Sequence, residues 1–173
     1  MTVPLHPANE ANFPAIIALM NAAFRGTEGW SNEADYITGE RMSESLVREE
    51  VAKGALYLLA EDDATSVLQG CVSLRASSHE KWYLGSLTVS PGLQNAGFGR
   101  RLLEAAEEYA AKRGAKTIEM TVVHLREALI SWYERRGYRR TGETRPFPYG
   151  DNRYGTPTQN ALEFVVLERH LGK

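Results

Sequence analysis

The 173-residue sequence predicts one α/β domain built on a mixed sheet, and three observations carry that reading. Apolar, β-branched runs at 55–60, 67–75 and 81–89 follow one another with turn residues between them, as consecutive strands do. Stretches of helical periodicity lie before and after these runs, at about 9–24, 43–53, 98–113 and 126–136. The segment 81–123 also reads strand, helix, strand, and a right-handed crossover of that kind sets its two strands parallel. With 43% hydrophobic residues the chain can bury one real core, and two domains would be cramped.

Taken in order, Val3 to His6 reads as a short first strand, and Asn9 or Asn12 caps a helix to about Phe24 with Ile16, Ile17, Leu19, Met20 and Phe24 on its apolar face. Arg25 to Thr38 mixes Gly26, Gly29, Ser31 and Asn32 with Trp30 and Tyr36, a loop signature. A second helix, Ser43 to Lys53, presents Leu46, Val47 and Val51 and stops at Gly54. The strands 55–60 and 67–75 flank Glu61-Asp62-Asp63 as a hairpin. The third helix ends at Gly114, Thr117 to Val123 is a strand, and Arg126 to Arg136 is a helix stopped by Gly137. Tyr138 to Gly142 and Ala161 to Glu168 read as the last strands. The loop 143–160 between them exceeds the usual connection length, which points to a lid or a substrate wall.

The formal net charge of −2 and pI near 6.1 argue against bulk attraction to nucleic acid or anionic membrane, so small-molecule or protein substrates are favoured. No basic leader with an apolar core opens the chain and no apolar run approaches a membrane span, so a cytoplasmic protein is expected. The single cysteine, Cys71, can form no intrachain disulfide and reads as a small buried hydrophobe in a strand.

The chemistry centres on 87–103. After Leu87-Thr88-Val89 the chain is broken by Pro91 and Gly92, then bends through Gln94-Asn95-Ala96-Gly97 and Gly99 into a helix on which Phe98, Leu102, Leu103 and Ala106 recur at helical spacing. Small residues at Ala96, Gly97 and Gly99 let several backbone N–H groups converge at a helix N-terminus, where orphan donors and the helix dipole favour an anion. The bend reads as a pyrophosphate cradle, the plainer alternative being a glycine-rich strand-to-helix turn with no ligand. It lacks the third glycine of a dinucleotide fingerprint and the Lys-Ser/Thr of a P-loop.

The order Gln-x-x-Gly-x-Gly after a strand ending Leu-Thr-Val-x-Pro resembles the coenzyme A signature of the GNAT superfamily of N-acetyltransferases. Trp132-Tyr133-Glu134-Arg135-Arg136-Gly137-Tyr138 resembles that family's closing signature. The resemblance spans essentially the whole chain, since the element order argued above is also the family's. It implies one N-acetyltransferase domain over 1–173, with a mixed, mostly antiparallel sheet, a central parallel strand pair and helices on both faces. It also implies direct acetyl transfer from acetyl-CoA to a primary amine, with no metal.

By the same resemblance, Leu87, Thr88 and Val89 bind the thioester oxygen and pantetheine, and Gln94, Asn95, Ala96, Gly97, Phe98, Gly99 and Arg100 take the pyrophosphate. Tyr133 matches the general acid, a phenol of reference pKa about 10 that donates to a thiolate of reference pKa near 8.5. Two positions depart from the family. Arg126 stands where an asparagine often touches the cofactor, and can reach a phosphate or a substrate carboxylate instead. Gly85-Ser86 stands where many members carry a glutamate base, so the candidates are His124, Glu33, Asp35 or a water chain.

Trp30, Glu33 and Tyr36 in the first loop suit a cationic amine. Phe147 and Tyr149 in the second stand among aromatics and the arginines Arg145 and Arg153, which suit an amine that also bears a carboxylate. A small amine or amino acid is the favoured acceptor, with a peptide or protein amine as the alternative. A non-catalytic acyl-CoA-binding module and a ligand-free interaction protein are the rival classes. A homodimer through the last strands follows from family analogy alone.

Overall fold

A computed structural model describes residues 3–26, 33–94 and 96–172. The elements run β1 (His6–Pro7), α1 (Phe13–Arg25), β2 (Ile37–Thr38), α2 (Glu44–Ala52), β3 (Leu56–Glu61), β4 (Leu68–Ala76), β5 (Lys81–Val89), α3 (Phe98–Ala111), β6 (Thr117–Val123), α4 (Glu127–Glu134), β7 (Arg139–Pro146), β8 (Thr156–Pro157) and β9 (Glu163–His170). Seven strands form one sheet in the order β1-β3-β4-β5-β6-β9-β7, and β2 pairs with β8 apart from it. Within the large sheet β5 and β6 run parallel and every other pair is antiparallel.

Alternation along the central strands decides the layering. Leu58, Ala60 and Val72 point to one face, where Phe98, Leu102, Leu103, Ala106 and Ala110 of α3 cover them. Tyr57, Leu59 and Cys71 point to the other, under Phe13, Ile16 and Met20 of α1 and Leu46 and Val47 of α2. Each fully buried Leu, Ile or Met contributes about 1.5–3 kcal/mol relative to exposure, which is what holds helices this short in place. The Ser43 hydroxyl caps α2 by accepting from the Leu46 N–H at 3.3 Å.

The parallel pair is the feature that positions the site. Its register covers only Lys81↔Thr117, Trp82↔Ile118 and Tyr83↔Glu119. Beyond Tyr83 the two strands diverge, although β5 continues to Val89 and β6 to Val123. A register shift between β4 and β5 accompanies the divergence, and Ser86 there takes the left-handed φ of +54°. The bulge turns β5 away from β6. The result is a wedge that opens toward the carboxyl ends of both strands.

Several boundaries differ from expectation, most of them by one or two residues. The first strand is His6–Pro7 rather than Val3 to His6, because only His6↔Leu59 and Pro7↔Leu58 pair with β3. The last strand starts at Glu163, since Ala161 sits at φ +65°, outside the extended region. The helix expected at 126–136 spans Glu127–Glu134. The strand expected to end at Gly142 runs on to Pro146, and the remainder of 143–160 is tied down by β8 against β2. Cys71 is fully buried in β4, as a packing residue should be.

Candidate active site

A cavity of about 1030 Å³ occupies the wedge. Gly85 to Val89 form one wall, Met120 to Val123 the other, and Leu129, Trp132 and Tyr133 of α4 close it from the side. At the apex, where the strand pairing ends at Tyr83, the hydroxyls of Tyr83 and Thr121 hydrogen-bond at 2.7 Å across the gap. Past that point the edge of β5 facing β6 has no strand partner among the described residues. Its backbone groups are therefore open to an extended ligand that adds itself as a strand would.

One end of the cavity is the first turn of α3. Gly97 stands at its N-cap with φ +80°, and a Cβ built there meets nothing within 4 Å, so the space in front of the helix is open. A Cβ on Gly99 would stand 3.6 Å from Trp132 and Val89, inside the wall between α4 and β5. The first N–H groups of α3 have no intrahelical acceptor, and they point into this space with the positive end of the helix dipole. Arg100, Arg135 and Arg136 add positive charge to the same end. Arg136 stacks over Trp132 at 3.9 Å, and burial, then its cationic neighbours Arg135 and Arg100, hold its pKa below the usual value.

Toward the other end stands Tyr133, 6% exposed. Its ring packs edge-on against Trp132 at 5.1 Å and Tyr138 at 5.7 Å. Among the described residues no protein group hydrogen-bonds its hydroxyl. Burial pushes this phenol above its ordinary value, and the nearby Arg126 guanidinium partly offsets that. The side chain is therefore a proton donor throughout the neutral range.

Beyond Tyr133 lies a group of buried charges. Glu33, 8% exposed, accepts from Arg25 Nη2 at 3.0 Å and from Arg126 Nη1 at 3.5 Å. Burial lowers the pKa of both arginines and Glu33 raises it again. Arg41 reaches the same end, donating to the Ser86 hydroxyl at 3.4 Å. Arg41 and Arg126 both lie over the Phe24 ring, at 5.2 and 6.0 Å. The other carboxylates on the cavity wall are engaged too: Glu49 with Lys53 and Arg153, and Glu50 with the Tyr57 hydroxyl.

Of the residues that the sequence singles out, the cavity brings together Leu87, Thr88, Val89, Gln94, Gly97, Gly99, Arg100, Arg126, Tyr133, Glu33 and Phe147. Ala96 is exposed beside it, and Phe98 turns its side chain into the core while its N–H belongs to the first turn of α3. Trp30 and Asn95 lie outside the described residues. His124 does not line the cavity; its Nδ1 faces the Glu163 backbone at 3.3 Å. Asp35 is exposed and also lies off the wall. Tyr36 and Tyr149 serve their loops, Tyr36 reaching the Leu125 carbonyl at 3.5 Å and Tyr149 donating to the Gln159 carbonyl at 2.7 Å.

The two arginines read as carboxylate ligands do other work. Arg145 pairs with Glu119 and Glu143, and Arg153 with Asp151 and Glu49. Arg25, Arg41 and Arg126 line the cavity beside Glu33 and Phe24 instead. The sequence alone does not mark Arg41, Tyr83 or Thr121. Nothing local marks Arg41, which precedes the α2 cap, and the Tyr83–Thr121 contact exists only because two strands 38 residues apart lie side by side.

Residues 14–138 match the model of the acetyltransferase (GNAT) family, and the chain belongs to that family of acyltransferases. Over 57 residues it is 39% identical to a Bacillus subtilis (strain 168) protein described as uncharacterized N-acetyltransferase YhfO; the match spans 33% of this chain and 38% of that relative. The fold is similar to that of the Escherichia coli ribosomal-protein-S18-alanine N-acetyltransferase, with a TM-score of 0.70 at 18% identity over 98% of this chain and 94% of that one. It is likewise similar to a GNAT family acetyltransferase from Elizabethkingia anophelis with acetyl-CoA bound, with a TM-score of 0.68 at 18% identity over 98% and 99% of the two chains. Among the described residues no helix is long and apolar enough to cross a membrane.

Proposed function

We propose that this chain is an acetyl-CoA-dependent N-acetyltransferase that passes the acetyl group directly to a primary amine of a small molecule. The observation that carries the reading is the wedge itself. One cavity joins an anion-binding helix start at Gly97 to a buried, protonated phenol at Tyr133, along an unpaired strand edge. Acetyl-CoA supplies the acetyl group on a thioester, with a diphosphate at the other end of an extended arm.

The residues present suit that ligand. The first turn of α3, with Gly97 and Gly99 keeping the approach open, takes the diphosphate, and Arg100 and Arg136 add charge. The free edge from Leu84 to Val89 binds the amide-bearing arm by backbone hydrogen bonds. Tyr133 holds a proton at its hydroxyl for the departing thiolate. The acceptor's ammonium gives its proton to water, because Glu33, Glu49 and Glu50, the carboxylates on the cavity wall among the described residues, already have cationic or hydroxyl partners. Leu84 and Val122 supply a buried, apolar part of the cavity wall.

The test is a screen of small amines and amino acids with acetyl-CoA, following thiol release and the mass of the acetylated product. Acetylated amine with stoichiometric free thiol supports the reading. Acetyl-CoA bound without transfer to any amine or peptide would leave a binding module instead.

A further inference from the structure

The wedge narrows to a closed apex. The hydroxyls of Tyr83 and Thr121 join β5 to β6 there at 2.7 Å, where the pairing of the two strands stops. The Tyr83 ring has little room to withdraw. A Cβ on Gly85 would stand 3.1 Å from it, so it lies close against its own strand, and Arg75 stacks over it at 5.5 Å. Tyr83 pairs in register with Glu119, so alternation puts Tyr83, Gly85 and Thr121 on one face of the sheet. Leu84 and Met120 belong to the core on the α3 side, and all five residues line the cavity. A phenol and a threonine hydroxyl that satisfy each other make a polar stop, because forcing apolar atoms between them would leave both unpaired.

The length of the open strand edge decides what meets that stop. The first turn of α3 abuts the end of β5, since a Cβ on Gly99 would stand 3.6 Å from Val89. In coenzyme A the chain between the diphosphate and the sulfur is about as long as the backbone of four residues. Laid along the edge from Val89 toward the apex, it brings the sulfur level with Gly85 and the acyl carbons toward Tyr83 and Thr121. Resting on the acetyl-CoA reading, we infer that the Tyr83–Thr121 bridge sets the length of the acyl group that the cavity accepts. An acetyl group ends short of the bridge, and the two further carbons of a butyryl group run into it. Tyr83 and Thr121 are thus the residues that determine donor specificity, and the donor class is short-chain acyl-CoA.

Calorimetric titration of acetyl-CoA and butyryl-CoA into wild type, Thr121→Ala and Tyr83→Leu tests this without any acceptor amine. In an open, apolar apex each added methylene would tighten binding about fourfold. The expected result is the reverse, with wild type binding acetyl-CoA roughly tenfold or more tightly than butyryl-CoA. Thr121→Ala removes one hydroxyl of the bridge and Tyr83→Leu the other together with the ring, and each should reduce that ratio about fivefold or more. General loosening of the site would weaken both ligands alike, so the ratio isolates the stop, and Thr121→Ala serves where Tyr83→Leu does not fold. Butyryl-CoA bound by wild type as tightly as acetyl-CoA, or a ratio unchanged in the variants, would overturn the stop and leave the acetyl-CoA reading standing. Binding of neither ligand to wild type would overturn that reading and the stop with it.

Discussion

Replacing Tyr133 by phenylalanine removes one oxygen from the wall of the cavity. The structure separates its effect on rate from its effect on folding. The hydroxyl has no protein hydrogen-bond partner among the described residues, so Phe orphans no group. The edge-on contacts with Trp132 and Tyr138 involve the ring and survive the change. Stability should therefore stay within about 1 kcal/mol of wild type. The rate should not. A positioned general acid is worth about 10²–10⁴-fold, or roughly 2.7–5.4 kcal/mol of barrier. Thiol release at saturating acetyl-CoA and amine should show kcat reduced at least a hundredfold, with the KM for acetyl-CoA within about threefold. Because burial raises the phenol above its ordinary value, the wild-type rate should show no decline from Tyr133 ionisation below about pH 10. A Tyr133→Phe enzyme with kcat within threefold of wild type would refute the assignment of the proton donor.

Three further outcomes follow from the buried groups. Glu33→Gln leaves Arg25 and Arg126 without their shared carboxylate, so urea unfolding should show a loss of about 3 kcal/mol, and a loss under 1 kcal/mol would contradict a structural ion cluster. Burial pushes the Cys71 thiol up to about 12, which leaves about one part in ten thousand as thiolate at pH 8. Native protein should accordingly resist iodoacetamide, with labelling that tracks unfolding, whereas rapid labelling of the folded state would show that Cys71 is accessible. Burial first, with neighbouring carboxylates at Tyr57 and Tyr138, raises the phenols of Tyr57, Tyr133 and Tyr138 in the folded state. Native protein keeps these protons where the unfolded chain releases them. Stability is thus fully present below about pH 8.5 and falls as pH rises past the unfolded thiol and phenol values, by up to about 1.4 kcal/mol per pH unit for each group. Denaturant titrations between pH 8 and 11 that show flat stability would contradict the burial of these side chains.

The central fold is legible in the sequence because its strands and helices are half-buried and periodic. Thr117 to Val123 and Lys81 to Val89 are placed to the residue, and Phe98, Leu102, Leu103 and Ala106 fall on the buried face of α3. β7 is illegible beyond Gly142 for the opposite reason. It lies at the sheet edge with nearly every residue exposed, so Arg139 to Pro146 carry no alternation to read. The glycine bend and Tyr133 are readable because their chemistry is local to the chain. Arg41 and the Tyr83–Thr121 bridge are not, because they gain meaning only from neighbours in space. Arg145 and Arg153 show the converse error: composition suggested a carboxylate ligand, and pairing with Glu119, Glu143, Asp151 and Glu49 accounts for the charges instead.

Acetyl-CoA in the wedge is the claim on which the rest depends, and thermal unfolding of wild type and Gly97→Glu with and without it is the most direct measurement. At a hundred times its dissociation constant a ligand of the native state stabilises by about 2.7 kcal/mol, or roughly 5–10 °C in a chain of this length. The open space before α3 would receive the glutamate side chain and its negative charge, so the variant should lose most of the shift. A wild-type shift abolished in Gly97→Glu is the predicted result. No shift for wild type at saturating acetyl-CoA, or an equal shift in both proteins, would contradict the assignment of the α3 N-terminus as the diphosphate site.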